Sequence, residues 1–263
     1  MKIYITHIDT ACILLEINGY RILTDPTLDN AGGLYHHGYG SFSRKTDNPA
    51  VPISDLTEID LILLSHHQHK DNFDVNGKAF ARTVGTVIST KAAREAISGV
   101  IGLDDWESHT LSNDKLTNLK VTATPAQHHP SWVPGFLAGK VIGFVITWDE
   151  QKNGALYISG DTVYFHGIDE IAMRFKIDVG IFHVGSVQFR YLTAFGRYTM
   201  NGNDLVKAAE ILQPNKVIPI HHRGWTHFKE NESSLRQVIA AKKNILDKSI
   251  FLNSGVRTEI NTP

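Results

Sequence analysis

Four segments dense in histidine and carboxylate each follow directly on an apolar, strand-like run, and no other feature constrains this chain as strongly. Leu61–Ser65 runs into His66-His67-Gln68-His69-Lys70-Asp71-Asn72. Val121–Thr124 runs into Pro125-Ala126-Gln127-His128-His129. Leu156–Ser159 runs into Gly160-Asp161-Thr162, and Val217–Ile220 into His221-His222-Arg223-Gly224-Trp225. The end of a buried strand is a rigid mount, so polar residues placed there can be held with little reorganisation. Several imidazoles together with two carboxylates suit Zn²⁺, Mn²⁺ or Fe better than Ca²⁺ or Mg²⁺.

Of the 14 histidines, eight fall in three short clusters: His66, His67 and His69; His128 and His129; His221, His222 and His227. Three imidazoles at one strand end repel one another when charged, so the cluster calls for a purpose. A catalytic metal with an open position lets bound water ionise near neutral pH and attack as hydroxide. Single histidines such as His109 and His166 read as surface or hydrogen-bonded residues, and Gly160-Asp161 alone would read as a turn.

The secondary-structure signals alternate throughout. Strands are predicted at Lys2–His7, Ala11–Ile17, Arg21–Leu23, Ile59–Ser65, Thr86–Ser89, Leu119–Thr124, Val141–Trp148, Ala155–Ser159, Val179–Phe182 and Lys216–Ile220. Asn18-Gly19 marks a hairpin turn. Helices are predicted over Lys91–Ser98 capped by Thr90, Gly202–Leu212 capped by Asn201 or Asn203, and Ser233–Leu246. Residues 29–52 read as a long loop. With no linker or low-complexity tract, residues 1–263 are expected to form a single α/β domain, with sheets covered by helices.

A formal net charge of −1 gives no bulk reason to expect nucleic acid, and no apolar run is long enough to span a bilayer. The single cysteine, Cys12, excludes an internal disulfide and a Cys-rich zinc site, and its apolar surroundings make it a core residue. A cytoplasmic protein acting on a small molecule is expected, a homo-oligomer being compatible with its apolar loops.

Taken together, these motifs resemble the metallo-β-lactamase superfamily. The opening Thr6-His7-Ile8, then Leu23-Thr24-Asp25-Pro26, Ser159-Gly160-Asp161-Thr162 and Ile218-Pro219-Ile220-His221 look like the branch that contains ascorbate-6-phosphate lactonase. The resemblance implies an αββα sandwich with a usually dinuclear site along one sheet edge. It also implies one metal on His66, His69 and His128, a bridging Asp161, and a second metal on Asp71 and His221. The first motif departs from His-x-His-x-Asp-His. Asn72 stands where the last histidine is expected, and one residue is inserted. Counting forward from Ser65 makes His66 the first ligand, whereas counting back from Asp71 makes it His67. His66 is preferred because the strand runs directly into it. One or two zinc ions are expected, with His227 or the surplus histidine as candidates to replace the missing one.

The chemistry so implied is hydrolysis of an ester or lactone. Asp71 would orient or deprotonate water, and His227 would protonate the leaving group. Arg223 is a candidate contact for a substrate anion, Thr162 for orienting Asp161, and His129 and His222 are expected to point away. Residues 130–140, with Trp132, Pro134 and Phe136, and 186–200, with Phe189, Arg190, Tyr191, Phe195, Arg197 and Tyr198, would shape the substrate pocket. The competing readings are a phosphodiesterase acting on nucleotides or RNA, a di-iron redox protein (such proteins carry Glu where this chain has His69) and a non-catalytic metal-binding protein.

Overall fold

The computed structural model describes residues 2–38, 40–135, 138–189 and 193–261. In chain order these form β1 (Ile3–Asp9), β2 (Cys12–Ile17), β3 (Tyr20–Thr24), β4 (Leu34–His36), β5 (Phe42–Arg44), β6 (Leu61–Leu63), α1 (Val75–Ala81), β7 (Val87–Thr90) and α2 (Lys91–Ala96). There follow β8 (Val100–Leu103), β9 (Ser108–Leu111), β10 (Leu119–Pro125), β11 (Ile142–Thr147), β12 (Ala155–Ile158), α3 (Gly167–Arg174), β13 (Ile177–His183), α4 (Gly202–Leu212), β14 (Lys216–Ile220), α5 (Glu232–Ala240), α6 (Lys243–Leu246) and β15 (Thr258–Ile260).

Two sheets carry the fold. One runs β15-β1-β2-β3-β6-β7-β8 and the other β14-β13-β12-β11-β10-β9. Their facing sides close on one apolar core that includes Ile5, Leu15, Ile22, Leu63, Phe144, Ile158 and Ile181. Outside the first sheet, Phe73, Ala81 and Ala93 pack on Leu23, Ile62 and Val87, so α1 and α2 form its cover. Outside the second, Ile168 and Ile171 of α3, Leu205 and Ala209 of α4 and Leu235 and Ile239 of α5 pack on Val145, Tyr157 and Phe182. The layers are therefore α, β, β, α, the sandwich that the family resemblance implies.

Direction matters more than layer count. Strands β3, β6, β7 and β8 are parallel, as are β12, β13 and β14. β10 is antiparallel to β11 and β11 to β12, so β10 points the same way as β12. The carboxyl ends of β10, β12, β13 and β14 thus share one edge. The end of β6 joins them, because the Ile142 amide donates to the Ser65 carbonyl at 3.2 Å. The β1–β2 turn reaches the same edge, where the His221 amide donates to the Thr10 carbonyl at 3.0 Å.

Local sequence explains most elements. Asn18 and Gly19 both take positive φ, 48° and 79°, the two-residue turn that matches strand twist. Thr90 caps α2. Asn201, not Asn203, caps α4 in a reciprocal box with Asp204. The predicted single helix Ser233–Leu246 is instead two, α5 and α6. Leu235 and Ile239 lie four residues apart on one face. Ile245, six residues further, would sit roughly 240° around a continuous helix at 3.6 residues per turn. The break at Lys242 (φ −125°, ψ 88°) turns Ile245 into the same core.

The predicted loop 29–52 contains the β4–β5 hairpin. It is tied down by Lys45, fully buried, whose ammonium pairs with Asp9 and lies 5.3 Å from the centre of the Trp225 ring. Among the described residues, no helix is long and apolar enough to cross a membrane. Phe136, Arg190 and Tyr191 lie outside the described residues.

The inter-sheet core gives a direct test. Phe144→Ala should cost about 3–5 kcal/mol of unfolding free energy by urea titration, through lost transfer energy and the cavity left behind. A loss under about 1 kcal/mol would contradict a closed core at this position.

Candidate metal centre

His66, His69 and His128 converge on one point. The Nε2 atoms of His66 and His128 each lie 3.1 Å from His69 Nδ1. The geometry behind each ring determines what it can offer. His128 Nδ1 lies 2.9 Å from the Tyr198 carbonyl, which can only accept. The proton therefore sits on Nδ1, and Nε2 presents a lone pair to the cluster. His66 is set by a longer chain: Ser65 Oγ donates to Asp25 Oδ1 at 2.8 Å and stands 2.9 Å from His66 Nδ1. With its own proton given to Asp25, the hydroxyl accepts from Nδ1–H and leaves Nε2 free as a donor atom. Asp25 Oδ1 also accepts from the Ser65 amide, which fixes the strand end itself.

Beside this group, one ligand atom from each of Asp71, Asp161 and His221 lies within 4.8 Å of the other two. His221 Nε2 is 3.6 Å from Asp161 Oδ1 and 3.7 Å from Asp71 Oδ2. His221 Nδ1 faces the Val184 carbonyl at 3.3 Å. Asp161 Oδ1 also takes a 2.9 Å hydrogen bond from His183 Nδ1, and Asp71 Oδ2 one from His227 Nε2 at 2.9 Å. Every one of these side chains is buried except His69, which is half-buried.

The backbone at this edge is built for close approach. Gly160 has φ 60°, and a Cβ there would come within 2.5 Å of the Ile142 carbonyl oxygen. His221 itself takes φ 64°, an uncommon conformation for a residue with a side chain. It is over-determined by the Thr10 carbonyl and by Gly185, where a Cβ would meet the His221 carbonyl oxygen at 2.3 Å.

The electrostatics divide the two groups. Burial pushes His66 well below the usual imidazole range, lowers His69, and takes His128 to about 4. All three are neutral near pH 7 and carry lone pairs. Burial would raise Asp71, but the nearby His221 imidazole and the hydrogen bond from His227 outweigh it and hold the carboxyl well below its ordinary value. Asp161 is lowered in the same way, burial being overcome first by the His221 charge and then by the His183 hydrogen bond. Burial opposes charge on His221 too, yet Asp161 and Asp71 raise it to about 9. Two buried carboxylates thus demand a positive charge between them, from an imidazolium or from a bound cation.

Donor chemistry and unsatisfied atoms fit a transition-metal ion. Asp161 Oδ2 and His221 Nε2 are buried without hydrogen-bond partners, an expensive arrangement for polar atoms with nothing to bind. His66, His69, His128, Asp71, Asp161 and His221, all nominated from the sequence, are the residues drawn together. His66, not His67, points its ring into the cluster, and His67 is half-exposed on the far side of the loop. Asn72 is fully buried with neither amide atom paired and belongs to neither group. His227 contacts Asp71 and is likewise outside both.

Other expectations resolve plainly. His129 and His222 turn to the Pro130 carbonyl and to Glu232. Thr162 accepts from the Gln127 amide and donates to the Val163 carbonyl, so it ties the Asp161 turn to the His128 loop. Arg223 does not reach the cluster: its guanidinium binds Ser254 Oγ and lies 3.1 Å from His7 Nδ1. Arg197 pairs with Asp204 at 2.9 Å. The residues that sequence reading missed are His183, Asp25 and His37. His183 ends an apolar strand as the nominated ligands do, and that position was its signal.

Aromatic rings wall the site. Phe189 stacks on His227 at 5.3 Å, His37 lies 5.1 Å from His227, and Tyr198 is 5.7 Å from His128. Trp132 and Phe195 are both strongly exposed, and their loops touch, since a Cβ on Gly196 would meet Trp132 at 3.0 Å.

A family model described as a β-lactamase superfamily domain matches residues 20–222. Curated relatives include a metal-dependent hydrolase of Caldivirga maquilingensis, 24% identical over 89% of this chain and 88% of that protein. One from Flavobacterium johnsoniae is 25% identical over 92% and 95%. Among solved structures, an isothiocyanate hydrolase from Delia radicum gut bacteria aligns with a TM-score of 0.78 at 21% identity, over 99% of this chain and 100% of that one. Igni18, a metallo hydrolase from Ignicoccus hospitalis, aligns with a TM-score of 0.70 at 20% identity, over 99% of each chain. With three quarters of its length matched by the family model and its histidines and aspartates gathered at one sheet edge, the chain belongs to the metallo-β-lactamase superfamily.

Proposed function

We propose that this metal-dependent hydrolase cleaves small uncharged carboxylic esters or lactones bearing an apolar group. The observation that carries the reading is the pairing of a metal-type donor cluster with a ring-lined wall that offers no uncommitted cation among the described residues. Arg197 is neutralised by Asp204, and Arg223 is spent on His7 and Ser254. A site for a phosphodiester would present a free guanidinium or ammonium to the anion. Here Phe189, His37 and Tyr198 line the approach instead.

His66, His69 and His128 would hold one ion, and Asp71, Asp161 and His221 a second or a shared one. Zinc is the favoured identity, with Mn or Fe as alternatives. A divalent ion so held lowers the pKa of water toward neutrality and polarises a carbonyl oxygen. Asp71, kept ionised by its two histidine partners, orients the attacking water through its carboxylate. His227 donates Nε2–H to Asp71 and has Nδ1 unpartnered, so it is set to take up a proton there and return it to the leaving oxygen. The aromatic wall lowers the local dielectric and seats the apolar group of the substrate. The likeness to an isothiocyanate hydrolase favours a second reading in which the electrophile is the central carbon of an isothiocyanate, also uncharged.

Three outcomes are expected. His128→Ala and Asp161→Ala should each lose bound metal, by elemental analysis, together with turnover; activity surviving either change would overturn the mechanism. Ser65→Ala removes the hydroxyl between Asp25 and His66 and should weaken metal affinity by roughly 10–100-fold in chelator competition, with the fold retained by circular dichroism. Unchanged affinity would show that His66 needs no such support. Zinc-loaded protein should turn over phenyl acetate, a γ-lactone or a benzyl isothiocyanate with kcat/KM at least about tenfold above bis(para-nitrophenyl) phosphate. The reverse order would make the phosphodiesterase reading correct.

A further inference from the structure

A cavity lies on the opposite side of the metal-binding loop, under α1 and α2. Its volume is about 440 Å³, within the range of small-molecule sites. The floor is apolar, formed by Phe73, Ala81, Val87 and Val100, all buried. The rim carries two cations, Lys78 and Arg82, with the His67 ring beside them. Lys70, three residues after His67, is close enough for its ammonium to act directly on that of Lys78.

This charge is not compensated. Among the described residues, no carboxylate lies within ion-pair distance of Lys70, Lys78 or Arg82. The nearest acidic influence on Lys78 is Asp74. That carboxylate is already engaged, accepting from the Gly77 and Asp29 amides and capping α1. Lys78 is lowered to about 8, first by burial and then by Lys70. His67 adds a buried Nδ1 with no hydrogen-bond partner. Like charges gathered at the mouth of an apolar cavity are repulsive alone and become favourable when an anion sits among them.

We propose that this cavity binds an amphiphilic anion, an acyl chain on the Phe73–Val100 floor with its carboxylate among Lys78, Arg82 and His67. The site is separate from the metal cluster. His66 and His67 are neighbours in sequence, but the ring of His66 faces the cluster and His67 lines the cavity. The proposal does not depend on which substrate the metal site takes.

Decanoate is the probe, titrated into the metal-loaded protein by calorimetry. Saturable one-to-one binding is expected, with decanol and acetate each at least about tenfold weaker because each lacks one half of the recognition. Lys78→Glu reverses a rim charge, and Ala96→Phe, at an exposed helix position, fills the cavity. Each should weaken decanoate at least about tenfold while leaving turnover at the metal site unchanged. Decanoate that does not bind, or that binds both variants as tightly as the parent, overturns the proposal. Decanol binding as tightly as decanoate overturns the assignment of an anion.

Discussion

Two carboxylates, Asp71 and Asp161, stay ionised in a buried edge of the sandwich, and most of the local structure follows from that requirement. An isolated buried carboxylate would take up a proton rather than pay its desolvation cost. Here His183 and His227 donate directly to them, and His221 sits within 4 Å of both. The histidines are in turn fixed by groups that can only accept: His221 by the Val184 carbonyl and His128 by the Tyr198 carbonyl. The result is a preorganised donor set, in which tautomers and ring directions are decided by the fold before any ion arrives.

Strand direction makes this possible at small cost. Four strand ends in one sheet and one in the other open onto a common edge, so residues from positions 66 to 221 meet without a long loop crossing the core. The strained backbone at His221 belongs to the same design. Its positive φ turns the chain sharply as it leaves β14, and the Thr10 carbonyl and Gly185 hold it there. Strain of this kind persists only where neighbouring contacts over-determine it.

The helix-covered sheets and the four polar strand ends were legible from short-range signals, namely apolar runs, turn residues and the polar residues that follow them. The αββα layering and the choice of six donors came from the family resemblance that those motifs carry. The Asn18-Gly19 turn and the Asn201 and Thr90 caps are of this kind. What was not legible depends on pairings across the chain. His183 is a single histidine with no cluster around it, and only the fold brings it to Asp161 from 22 residues away. Asp25 reads as a turn before Pro26, yet it controls His66 through Ser65, 40 residues on. Arg197 and Arg223 read as free cations because their partners, Asp204 and the His7–Ser254 pair, are found only in three dimensions. The split between α5 and α6 has no glycine or proline to announce it and is imposed by where Ile245 must pack.

The inserted residue in the first motif is best understood through its two neighbours. Beyond the end of β6 at Leu63, the Leu64 amide donates to the Ile88 carbonyl and the Ser65 amide to Asp25, and the chain held there turns His66 to the cluster and His67 to the opposite side. The extra residue then lets His69 return to the cluster while Asp71 reaches His221 and His227. Asn72, at the position where a further imidazole would stand, is buried with its amide unpaired, and His227 approaches Asp71 from a different loop. Asn72 belongs to neither donor group, so the Asp71 side has one imidazole and two carboxylates to offer and leans more on their charge. An ion on that side would be held mainly by electrostatic attraction, whereas His66, His69 and His128 would hold one by directed lone pairs. Were both groups to take an ion, the three-histidine position would be the firmer and the carboxylate position the weaker, because of that difference in donors.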